Sequence, residues 1–194
     1  KVNGLDDPAR LSLAGGYTEL LPKVDAAVYH KVTEQFVWGG PQKNPVRVGE
    51  FLAVHPAVSE LFYKAQADKQ LRHCLSEIVS KVIAYSQATD EILDLAARDN
   101  LIFWSHNGEW RYCLVDALYP FKPDMLAQSR TIIEQCPTSL SERASNILLN
   151  TINFVRLING WAYFLGMDER IWLTDGKQAI DLLTMLQQGV NDHE

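Results

Sequence analysis

Leu101-Ile-Phe-Trp-Ser-His-Asn-Gly-Glu-Trp-Arg-Tyr-Cys-Leu-Val115 is the stretch on which the fold reading turns. Leu101 to Ser105 and Trp110 to Val115 are rich in aromatic and β-branched residues, which suit the pleated, half-buried surface of a strand. Asn107-Gly108 lies between them, and Asn-Gly supplies the positive φ angles that a tight two-residue turn demands. These residues predict a β-hairpin.

Outward from the hairpin the periodicity turns helical. Leu71, Leu75, Ile78, Val79, Val82, Ile83 and Ser86 recur at three- and four-residue spacing, the single apolar face of a helix, and Asp68 suits its cap. Val48 to Val54 and Ala57 to Gln66 read as two short helical pieces parted by His55-Pro56, with the proline placed for the first turn of the second. Tyr17 to Trp38 stays open. Val24, Ala27, Val28 and Val32 suit a helix, while Gln35-Phe-Val-Trp38 equally suits a short strand, and Gly39 to Pro45 is a loop. Residues 1–45 are therefore expected to be a loose N-terminal segment, and residues 46–190 a helical domain with the hairpin at 101–115.

Downstream, Tyr119-Pro-Phe-Lys-Pro123 reads as a loop and residues 124–135 as a helix. Ser139 and Glu142 have capping-box spacing and open a long helix whose apolar positions include Leu140, Ala144, Ile147, Leu148, Thr151, Phe154, Val155, Ile158 and Ala162. Leu165-Gly166 is its natural stop, and a last helix is expected over about 175–188. The predicted fold class is mainly α with one small β-hairpin, a helical bundle.

The chain has 194 residues, 47% hydrophobic and 22% charged, which suits one folded domain with a real core. Its formal charge of −6 argues against broad binding along a nucleic-acid backbone, so no nucleic acid is expected as a partner. No apolar run approaches the about 18–20 residues that span a bilayer, and no membrane is expected either. Cys74, Cys113 and Cys136 are far apart and form no CxxC pair, so no disulfide framework is indicated and a reducing, cytoplasmic setting is expected. Cys74 on a helix pattern and Cys113 in an apolar run are expected to be buried thiols.

Three oxygen-bearing residues cluster around the hairpin in sequence. Asn100 directly precedes its first strand, Asp116 directly follows its second, and Asp94 lies one loop upstream. Pairing the strands brings Asn100 and Asp116 together, and a carboxylate–amide–carboxylate set suits Mg²⁺, which prefers hard oxygen ligands. A carboxylate beside such a metal can orient or deprotonate a hydroxyl. The bland alternative is that Asp94 caps a turn, Asn100 takes a left-handed conformation and Asp116 ends a strand.

Here the sequence resembles the C-terminal lobe of a protein-kinase-like fold, in which a catalytic Asp and a metal-binding Asn precede a short hairpin and a second metal-binding Asp follows it. The matching stretch is Leu93-Asp94-Leu95, Asn100 to Phe103, and Leu114-Val115-Asp116-Ala117-Leu118. The helix over 68–87 matches the family's core helix, and the helices after residue 124 its helical base. The resemblance implies Asp94 as catalytic base, Asn100 and Asp116 as metal ligands, and Mg²⁺ with ATP as cofactors. The pattern departs from the family in several places. Ile92-Leu93 stands where the kinase motif has His-Arg, the Asp94–Asn100 spacing is one residue longer, Ala117-Leu118 replaces Phe-Gly, and no G-x-G-x-x-G loop occurs. The resemblance thus implies either a phosphotransferase completed by an N-terminal lobe upstream of Lys1 or a pseudokinase-like relative.

The alternative is a non-catalytic interaction module that binds a partner protein through aromatic residues such as Trp161, Tyr163 and Trp172. His30, His55 and His73 have no spacing that suits zinc, and His106 beside the turn is expected to face solvent.

Overall fold

The computed structural model describes residues 10–12, 24–40, 43–89, 91, 93, 95, 100–114 and 138–173, giving the backbone course alone for 10–12 and 138–149. The described part is mainly helical. It comprises strand β1 (Arg10–Ser12), helix α1 (Ala26–Thr33), a π-helical turn at Glu34–Trp38, helix α2 (Val48–Val54), a 3-10 turn at Pro56–Val58, and helices α3 (Ser59–Ala67) and α4 (Lys69–Thr89). Strands β2 (Leu101–His106) and β3 (Glu109–Leu114) and helix α5 (Thr138–Leu165) follow. The helices expected over 124–135 and 175–188 lie outside the described residues, as does Cys136.

Local chemistry accounts for most boundaries. Asp25 caps α1 by accepting the amide of Ala27 at 2.7 Å, and Asp68 caps α4 by accepting those of Gln70 at 2.9 Å and Leu71 at 3.1 Å. Gly39, at φ 68°, ends the π-helical turn. Gly166, at φ 78°, ends α5, with the Met167 amide donating back to the Ala162 carbonyl at 2.9 Å.

The core is organised around α5. From Thr151 to Ala162 every residue is buried, which fits a central helix rather than an amphipathic surface one. It packs against α4, α1 and the π-helical turn. Phe36, Phe51, Phe62 and Phe164 form an aromatic cluster with ring centroids 5.4–6.3 Å apart, mostly in tilted or edge-to-face arrangements.

Three features depart from the sequence reading. Of the stretch that suits helix or strand equally, residues 26–38 are helical, and Val32, Phe36 and Val37 are core residues, so the packed part begins before residue 46. The β-branched valines blur that segment's period, and its apolar face becomes decisive only against α5. The hairpin has a third, antiparallel neighbour in β1, pairing Arg10 with Trp104 and Ser12 with Ile102. Three residues are too few to show an alternation. Finally, Cys113 is exposed, because strand alternation turns it away from the face carrying Trp110 and Tyr112.

Candidate functional site

The hairpin forms as its residues require. Leu101 pairs with Leu114 at the open end and His106 with Glu109 at the closed end, while Asn107 and Gly108 turn the chain at φ 53° and 79°. His106 is exposed beside this turn. Phe103 faces Tyr112 across the strands, with ring centroids 6.1 Å apart.

The face carrying Trp110 and Tyr112 is fastened to α4. The Trp110 indole N–H donates to Asp68 Oδ2 at 2.6 Å, and Lys64 Nζ lies 5.1 Å from the centre of the indole. Cys74 Sγ donates to the Trp110 carbonyl at 3.1 Å. Further along, Lys81 Nζ donates to Tyr112 Oη at 2.8 Å and to Glu77 Oε1 at 2.6 Å. The amide of Leu71 and the Trp110 indole hold the Asp68 carboxyl below its usual range. Lys81 in turn lowers Glu77. Since residues 68–74 meet Trp110 and residue 81 meets Tyr112, α4 and β3 run the same way. The C-terminal end of α4 therefore approaches the hairpin's open end. There Tyr85 Oη donates to Glu91 Oε2 at 2.6 Å, tying the segment after α4 back to the helix.

Asn100 sits at that open end, buried and partnered, directly before the Leu101–Leu114 pair. Its backbone is not left-handed, since Asn107 is the one non-glycine residue with positive φ among the described residues. The alternative that gave Asn100 a left-handed role is thereby corrected. Leu95 is fully buried and Leu93 packs on the core, so both sequence neighbours of residue 94 are anchored. Asp94 and Asp116 themselves lie outside the described residues. Among the described residues no group of three or more His, Cys, Asp or Glu is arranged to hold a metal ion. No helix there is long and apolar enough to cross a membrane.

A second polar centre escaped the sequence reading. Arg156, 2% exposed in the middle of α5, donates from Nε to His55 Nε2 at 3.1 Å and from a terminal nitrogen to Thr33 Oγ1 at 2.8 Å. Its other terminal nitrogen donates to Asn153 Oδ1, and the guanidinium lies 4.4 Å from the Tyr29 ring centre. One turn on, Asn159 donates to the Phe36 and Ile171 carbonyls at 2.7 and 2.6 Å and accepts the Ile171 amide at 2.9 Å. The available signal was the polar line Asn153, Arg156, Asn159 at three-residue intervals through the otherwise apolar stretch Ile152 to Ala162. Too enclosed to reach a surface ligand, Arg156 instead joins α5 to α1 and to the α2 terminus.

The aromatic set of the interaction reading divides. Trp161 is fully buried and serves the core, because it lies on the all-buried stretch of α5. Tyr163 is partly buried against Phe36, with ring centroids 5.5 Å apart. Trp172 is half exposed and lies over Gly39. A scan of the sequence against protein-family models found no match, and searches among curated proteins and among solved structures found none either.

Proposed function

We propose that this chain is a kinase-like or pseudokinase-like helical lobe that binds Mg²⁺-nucleotide, with phosphotransfer if an N-terminal lobe completes the site. The observation that carries the reading is the mounting of Asn100. It is a buried amide at the open end of a hairpin clamped to the preceding long helix, with Asp116 two residues beyond the strand partner of Leu101. That order matches the resemblance that the sequence suggests. In this proposal Asn100 and Asp116 hold the metal and Asp94 accepts the proton of an attacking hydroxyl. The bound Mg²⁺ would neutralise phosphate charge. The chain's own contribution is rigidity, since the Asp68–Trp110 and Lys81–Tyr112 contacts fix the strand pair on α4.

The test is thermal denaturation with ATP or GTP, each with and without Mg²⁺ or Mn²⁺. Ligand at a hundredfold above Kd stabilises the folded state by about 2.7 kcal/mol, a readily measured rise in midpoint. The expected result is a metal-dependent rise that Asp116→Asn abolishes without changing the unliganded midpoint. No rise at millimolar nucleotide, or one that survives the substitution, overturns the reading.

A second reading, a non-catalytic module that binds a partner protein, draws on half-exposed Trp172 and on Tyr63, exposed on α3. It predicts a partner whose capture is weakened by Trp172→Ala and indifferent to Asp116→Asn.

A further inference from the structure

We propose that the contact between His55 and Arg156 is an acid-released latch that holds α1 and α2 against α5. His55 is the joint of the N-terminal helical layer, ending α2 and directly preceding Pro56 of the 3-10 turn. Its ring is 4% exposed, with the Phe51 ring centre 5.1 Å away. Nε2 accepts the Arg156 Nε hydrogen, so that nitrogen must carry no proton of its own while the latch is closed. The same guanidinium reaches Thr33 and Tyr29 on α1. One cation therefore joins the end of α2 and the end of α1 to the central helix, across sequence separations of 101 and 123 residues.

Protonating His55 destroys the acceptor and sets an imidazolium against a guanidinium away from water. Among the charged and titratable groups on the packed elements, α5 contributes Arg156 itself and α1 contributes Tyr29, whose ring lies on the guanidinium. The Lys31–Glu50 ion pair, at 2.9 Å, joins α1 to α2 with its charges matched. None of them is a carboxylate bonded to His55. Burial first, and the Arg156 charge second, push the His55 ring well below its usual range. The open state, with the ring in water, protonates near the ordinary histidine value of about 6.5. Below that value the open state binds one proton more than the closed one, so acid favours release. The other histidines of the described part, His30, His73 and His106, are exposed and lie outside this contact.

The experiment is amide hydrogen exchange on the full chain between pH 7.5 and 5, corrected for intrinsic rates, together with NMR titration of the histidine rings. In the wild type, protection of α1 and α2 amides should fall by about tenfold per pH unit below about 6.5 while α4 keeps its protection. In His55→Gln, whose side-chain oxygen accepts the same hydrogen bond without titrating, the profile should be flat. A His55 ring that titrates near 6.5 with protection unchanged overturns the latch, as does loss of protection in α1 and α4 together. If His55→Gln does not fold, the wild-type ring titration and the α1-against-α4 comparison decide by themselves.

Discussion

Gly160 shows how narrowly single positions are constrained. A Cβ there would stand 2.2 Å from Phe51 Cε2 and 2.7 Å from two more ring atoms, so α2 crosses α5 where only hydrogen fits. Phe51 is fully buried within the aromatic cluster and has nowhere to retreat. Gly160→Ala would add up to about 1 kcal/mol of helix propensity. Overpacking outweighs it, and a net loss of about 2 kcal/mol is expected as a lower urea midpoint with unchanged m. At Gly49, where an added Cβ meets nothing, the same substitution should be neutral or stabilising.

Between elements, Asp68 links a helix start to a strand. Its carboxylate caps α4 through one oxygen and holds the Trp110 indole through the other. Asp68→Ala removes a cap worth about 1 kcal/mol and leaves a nearly buried indole N–H without its acceptor, for a total of about 2 kcal/mol. Trp110→Leu and Asp68→Ala should be strongly non-additive in a double-mutant cycle, because both break one contact. Asp68 has a lowered carboxyl pKa in the fold, so its contribution is complete above the unfolded value of about 3.9 and is lost as pH falls through the folded one. The Lys81–Glu77–Tyr112 contact is exposed and contributes far less, and it should weaken with salt.

For the molecule as a whole, Arg156 decides how the N-terminal layer sits. Arg156→Lys keeps the charge and loses the planar fork, leaving some of His55, Thr33 and Asn153 without a donor in a dry interior. A loss of about 3 kcal/mol is expected, which in a chain of this size lowers the melting temperature by roughly 6–12 °C. Thermal scans at pH 7.5 measure it directly.

Local rules made the mainly helical class and the central elements legible. Asn107-Gly108 demanded a tight turn, the period of Leu71 to Ser86 demanded a helix, Asp68 its cap and Gly166 the end of α5. Each of these depends on neighbours within a few residues, and the structure keeps them. Of the candidate site, Asn100 was legible as a residue at the hairpin's edge, but its burial was not. Pairing of β1 with β2, recruitment of 26–38 into the core and enclosure of Arg156 were decided only by the tertiary structure. They join residues up to 123 positions apart, and no local periodicity records a contact made across that distance. That Cys113 meets solvent and Trp161 does not was settled in the same way, by what packs against each strand and helix.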